Sequence, residues 1–188
     1  MNIFFCGEKW GNSNKSCTFA TFLINNLIYQ DGSYTDTLRT MSTFIGNIEA
    51  RADEKGRIFV PAAYRKILNE AESKRIVMRR DTDNECLIFY PEQVWNEKVG
   101  QLRQALDEWD PEDQMLLMQF MSDAEFLDMD NQGRILLQKK NLETIGAQQD
   151  VLFVGMLDRF ALWNPTNFGE KRLDQKDLAN RIRQKMKG

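Results

Sequence analysis

The 188-residue chain carries 25 Lys and Arg against 28 Asp and Glu, a net charge of −3, with 42% hydrophobic and 28% charged residues. That is an ordinary globular composition, long enough for one or two domains with a real core. A slightly acidic molecule has no general basic field, so any nucleic-acid contact needs a local patch or several assembled copies. The chain contains no histidine, which removes Ser-His-Asp and Cys-His nucleophiles, His-based zinc sites and histidine acid/base chemistry.

Cys6, Cys17 and Cys86 form neither a metal-ligand pair nor a disulfide framework, so a reducing cytoplasm fits and neither metal nor cofactor is expected. No run approaches the roughly 20 apolar residues of a membrane span. The best one, residues 18–29, is short and is interrupted by Asn25 and Asn26. It lacks a small-residue cleavage site and is not read as a signal peptide.

Residues 1–40 hold two of the three cysteines and a polar stretch over residues 11–16, with no periodicity. They are either a variable arm or sequence ahead of the functional start, and Met41 is the expected start. The run Cys6-Gly7-Glu8-Lys9-Trp10-Gly11-Asn12 back-translates, with suitable codons, into GTGGGGAAA twice, about ten bases or one DNA turn apart. Residues 1–40 then read as translated DNA repeats, not protein in the cell, an expectation that the gene's own nucleotides decide.

From Phe44 the pattern becomes regular. Phe44 and Ile48 predict a strand running into Asp53-Glu54-Lys55-Gly56, where Asp caps its own backbone and Gly supplies a positive φ. Arg57-Ile58-Phe59-Val60 predicts a second strand, and Pro61 suits the first position of a helix over residues 62–68. Residues 75–80 and 86–90 predict a hairpin around the polar loop 81–85. The unit is ββαββ. Trp95, Val99, Leu102 and Leu106 then form one stripe of a connecting helix. Asp110-Pro111 starts another helix, with Asp110 as N-cap, whose Met115, Leu116, Met118, Phe120 and Met121 are expected in the core.

A second unit repeats the first. A shift of 77 residues lays Asp53 on Asp130, Gly56 on Gly133, and Arg57-Ile58-Phe59 on Arg134-Ile135-Leu136. A shift of 74 lays Leu87-Ile88-Phe89-Tyr90-Pro91 on Ala161-Leu162-Trp163-Asn164-Pro165. The predicted organisation is therefore an extra N-terminal segment 1–40, repeats over 44–95 and 123–168, a helical connector 96–122, and a basic amphipathic helix within 169–188 built on Leu178, Ile182 and Met186. The fold class is α+β, mainly β. One unit alone leaves strand edges open, and two interleaved about a pseudo-twofold axis would close them into a barrel. Charge is segregated: residues 96–126 carry 8 acids and 2 bases, and residues 169–188 carry 3 acids and 7 bases.

The duplicated Asp-x-x-Gly-Arg has two readings. Asp53, Gly56, Asp130 and Gly133 build turns, with each Arg paired to a carboxylate; or Arg57 and Arg134 are offered to a polyanion, since arginine suits phosphate oxygens and the guanine edge. Lys55 and Arg51 would add salt-sensitive backbone contacts. Solvation accounts for Arg79, Arg80 and the tail cations.

The run Asp53-Glu54-Lys55-Gly56-Arg57-Ile58-Phe59-Val60-Pro61, then Cys86-Leu87-Ile88-Phe89-Tyr90-Pro91, then Asp130-Asn131-Gln132-Gly133-Arg134-Ile135-Leu136, closing on Leu162-Trp163, resembles the MraZ family. These are bacterial transcriptional regulators encoded at the head of the division and cell-wall gene cluster. The resemblance, over residues 44 to 168, implies tandem SpoVT-AbrB-like swapped-hairpin barrels and assembly into a ring. It also implies a cytoplasmic, nucleoid-associated repressor on G-rich direct repeats of double-stranded DNA, with Arg57 as the DNA-contacting arginine and Arg134 its second-copy equivalent. No small-molecule ligand and no membrane are implied. This chain has Gln138 where the family pattern has proline, and Asn141-Leu142 where it has a Leu-Arg pair. An AbrB-like antitoxin, a purely structural ring and an enzyme using Asp53 and Asp130 are the alternatives. Two full copies weigh against the first, and the absence of a sequence-encoded pocket around the carboxylates against the last.

Overall fold

The structure is a computed structural model of the chain, and it describes residues 43–71, 75–81 and 83–187. The expectations for residues 1–40 and for Met41 fall outside the described residues. Among the described residues, eight strands and six helices follow in order: β1 (Asn47–Arg51), β2 (Arg57–Phe59), α1 (Ala62–Glu70), β3 (Arg75–Asp81), β4 (Cys86–Pro91), α2 (Glu92–Ala105), α3 (Pro111–Ser122), β5 (Ala124–Asp128), β6 (Arg134–Leu136), α4 (Lys139–Thr144), β7 (Asp150–Gly155), β8 (Phe160–Trp163), α5 (Pro165–Lys171) and α6 (Gln175–Lys185).

Six strands form one antiparallel sheet in the order β1-β7-β8-β4-β3-β5, and β2 pairs with β6 in a separate ribbon. Exchanging the two repeats turns that order into its own reverse. The copies are therefore interleaved about a pseudo-twofold axis passing between β4 and β8 and through the Ile58–Ile135 pair of the ribbon.

The ladder does not close into the expected barrel. Its edge strands β1 and β5 pass into the ribbon through tight turns, with an Ala52–Ile58 bridge as the β1–β2 pairing. The physical reason is that each turn carries its strand across to the axis, where β2 and β6 pair with each other instead of with the sheet edges.

The sheet is buried on both faces, so the central strands read as unbroken apolar runs; all of β4 and all of β8 are buried. One face packs with the ribbon, α1 and α4. Phe44, Tyr64, Phe89, Phe153 and Phe160 interlock there, with Phe89 and Phe160 stacked at 5.0 Å. Ile58 and Ile135 are fully buried in that cluster. Tyr64 and Leu68, four residues apart on α1, reach the same core, and the Tyr64 hydroxyl donates to the Gly46 carbonyl at 3.2 Å. The other face, carrying Tyr90 and Trp163, packs on Trp95 and Phe168.

Helix α3 starts where its cap signal places it: the Asp110 carboxylate accepts from the Glu112 amide at 2.8 Å. Its apolar residues are a correction. Met115, Leu116, Met118 and Met121 are exposed, and no α3 residue is fully buried. Tyr90, Trp95 and Trp163 already fill that face of the sheet, so α3 reaches the core through Phe120, stacked on Trp95 at 5.4 Å.

Candidate nucleic-acid interface

The two Asp-x-x-Gly-Arg turns are near copies in three dimensions. Asp53 Oδ1 accepts from the backbone amides of Lys55 and Arg57, each at 2.9 Å, and Oδ2 takes Arg57 Nε at 2.6 Å. Asp130 Oδ1 accepts from the Gln132 and Arg134 amides at 2.9 Å, and Oδ2 takes Arg134 Nε at 2.8 Å and an Nη at 2.7 Å. Gly56 and Gly133 hold φ of +81° and +79°. Their carbonyls reach across the axis: Leu137 N donates to Gly56 O at 2.9 Å, and Val60 N to Gly133 O at 3.0 Å. Each turn thus anchors the strand end of the other copy. The sequence could not show this, because the partners lie 81 and 73 residues apart.

Alternation along β2 and β6 sends Ile58 and Ile135 inward, so Arg57, Phe59, Arg134 and Leu136 share the outer face. Phe59 and Leu136 are exposed apolar residues with no role predicted from sequence, although the repeated Arg-apolar-apolar spacing places them beside the arginines. The two arginines differ. The Arg57 side chain keeps 38% exposure and meets Asp53 through Nε, whereas Arg134 keeps 21%, uses two nitrogens on Asp130 and lies 5.7 Å from the Phe59 ring centre.

Lys55 is exposed in the first turn. Arg51, at the end of β1, is held by Gln149 at 2.6 Å and sits 3.8 Å from Asp150, so it stands beside the turn without joining the ribbon face. Arg65 of α1 also belongs to the neighbourhood. Its side chain lies against Gly133, and it has no carboxylate partner among the described residues.

Two arginines of β3 pack over aromatic rings. Arg79 lies 4.3 Å over the Phe120 ring and Arg75 5.0 Å over Phe126, the latter also pairing with Glu92 at 3.1 Å. The polar residues that depart from the family pattern have a local use: Gln138 and Asn141 donate to the two oxygens of Glu125 at 2.9 and 3.2 Å, tying the start of α4 to β5. Burial, with Asp81 adding to it, pushes the Cys86 thiol up to about 12, which leaves it inert. Among the described residues, no helix is long and apolar enough to cross a membrane, and no cluster of three or more metal-ligating side chains forms.

Both turn carboxylates are held below the usual Asp range. For Asp53 the largest cause is the Arg57 amide, and for Asp130 it is the Arg134 side chain. A depressed folded-state value means stability that is present above the unfolded carboxylate range and lost as pH falls through the lower folded one. The melting temperature is expected to decline as pH falls through and below the ordinary carboxylate range, and Asp53→Asn with Asp130→Asn to flatten that decline. An unchanged acid limb in the double variant would show that the turns are not its source.

The class defined by these features is a duplicated ββαββ protein whose copies meet at paired Asp-Arg turns. The family model described as "MraZ protein, putative antitoxin-like" matches residues 43–118 and 120–185. Similar proteins include one from Bacteroides fragilis, 45% identical over 123 residues, covering 65% of this chain and 78% of that one. Another, from Phocaeicola vulgatus, is 44% identical over 64% of this chain and 79% of its own. A third, from Syntrophobacter fumaroxidans, is 33% identical over 77% of this chain and 95% of its own. Each of the three bears the name "Transcriptional regulator MraZ". The chain belongs to the MraZ family, a family of transcriptional regulators and not of enzymes.

Proposed function

We propose that the protein is a sequence-specific DNA-binding repressor of its own division and cell-wall operon. It acts in the cytoplasm, on the nucleoid, as a ring of copies on G-rich direct repeats upstream of its gene. The two SpoVT-AbrB-like repeats, 44–95 and 123–168, form the binding unit of each protomer. The observation that carries this reading is the tethering of Arg57. Asp53 engages the guanidinium through Nε while the side chain stays 38% exposed, which leaves the Nη donors of its five-donor fork for a ligand at little further ordering cost. A fork fixed in this way suits a guanine edge or a phosphate pair. Lys55, Arg65 and Arg51 flank it as backbone contacts, while Arg134, more fully engaged, completes the ribbon.

The net charge of −3 makes one protomer a weak binder. Several modest patches acting together through a ring resolve this by effective concentration. Against a toxin-wrapping arm, the chain's tail forms a capped helix, with Asp174 accepting from two backbone amides at 2.8 Å.

The test is binding of the full chain to DNA from just upstream of its gene, compared with the same DNA carrying scrambled repeats, at two salt concentrations. Preference for the intact repeats and a steep loss of affinity with salt are expected. Equal affinity for both DNAs would overturn the assignment, and a strict monomer by light scattering would overturn the ring.

A further inference from the structure

Two faces of the molecule are apolar, exposed and opposite in charge. The first is the α2–α3 hairpin. Met115, Leu116, Met118 and Met121 of α3 are 40–56% exposed, and Trp109 at the hairpin tip is 87% exposed. Around them stand Asp107, Glu108, Asp110, Glu112 and Asp113. The second is α6 with its C-cap Met186: Leu178, Ile182 and Met186 recur every four residues along one stripe and are 42–47% exposed. Lys176, Arg181, Arg183, Lys185 and Lys187 accompany them against a single acid, Asp177.

Exposed apolar clusters of this kind mark interaction surfaces, and methionine-rich ones adapt readily to an incoming helix. An amphipathic helix laying its apolar stripe on such a face is a standard mode of recognition. Charge decides the match: a helix of net +4 over residues 175–187 meets a segment of net −6 over residues 96–126.

We propose that α6 of one protomer docks on the acidic, methionine-rich α2–α3 hairpin of a second copy. The proposal rests on the ring reading and names its contact. A head-to-tail joint of this type uses two different patches, so it propagates around a ring until closure. The contact of one 11-residue helix is small, which makes assembly cooperative through closure and sensitive to salt.

The experiment uses the full chain and light scattering at fixed concentration. E108K/E112K reverses charge at the hairpin, and R181E/K185E reverses it on the tail. All four side chains are exposed, and circular dichroism checks that each variant stays folded. I182Q removes apolar contact without changing charge. Each variant alone is expected to assemble at least tenfold more weakly than the unmodified protein, and mixing the two charge-reversed proteins to restore the full mass. Wild-type mass in either charge-reversed variant would overturn the docking while leaving the ring in place. Restoration in one chain carrying all four changes, but not in the mixture, would place the contact within a protomer and overturn the proposal. A tail variant that keeps full mass yet loses DNA would make α6 a DNA element and would overturn the docking as well. A monomeric unmodified protein would remove the ring and the docking together.

Discussion

Replacing Gly56 with alanine is expected to destabilise the protein by about 3 kcal/mol or more, well beyond the effect of the same change at Gly133. Both glycines hold a positive φ, which costs a side-chain-bearing residue roughly 1–2 kcal/mol. What a methyl group meets then differs. At Gly56 it collides with the backbone carbonyl of Leu137, whose amide is bonded back to the Gly56 carbonyl, so the ribbon must shift as a unit. At Gly133 it meets the Arg65 side chain, a flexible group that can turn toward solvent. Gly133→Ala should therefore show little beyond the conformational term, about 1–2 kcal/mol. Urea unfolding of the two variants beside the unmodified protein reads the difference directly. Equal losses, or a larger one at Gly133, would mean that the cross-axis bond to Leu137 does not govern the site.

That cross-axis bond shows where sequence reading stops. The turns, the strand after each, the Asp110 cap and the hairpin around residues 81–85 were legible because each is set by near neighbours. The interleaving of the copies could be guessed from the repeat. The pairing of β2 with β6 instead of with the sheet edges could not, because a three-residue strand carries too little pattern to choose its partner. The same limit explains α3. Methionine and leucine at helical spacing look alike whether they face a core or solvent, and only the prior filling of that sheet face by Tyr90, Trp95 and Trp163 decides it. Arg79 was hidden for a related reason, since its seat on Phe120 depends on a contact 41 positions away in the chain. At the ribbon, the repeated motif left two readings for the arginines, carboxylate pairing or a polyanion, and the structure shows each bound to its own Asp.

Arg57→Ala is expected to weaken operator binding by ten- to more than a hundredfold per engaged site, about 1.4–3 kcal/mol and within the range of a base-reading contact. The loss has two parts. The outward donors disappear, and Asp53, no longer neutralised, is left as a bare carboxylate near the phosphates. Folding should hardly change, because an ion pair this exposed is largely screened by solvent. Arg57→Lys separates the parts: it keeps the charge and loses the planar fork, so it should retain nonspecific affinity while losing preference for the repeats. Arg134→Ala should cost less, because Arg134 spends two nitrogens on Asp130 and packs beside Phe59.

The most direct test of the ribbon as the DNA-reading element is therefore a side-by-side measurement of operator affinity for the unmodified protein, Arg57→Ala and Arg134→Ala at one salt concentration, with assembly state checked in each. A loss of at least tenfold for Arg57→Ala, a smaller one for Arg134→Ala and unchanged assembly in both is the predicted result. Undiminished binding by Arg57→Ala, or a larger loss at Arg134, would contradict the account.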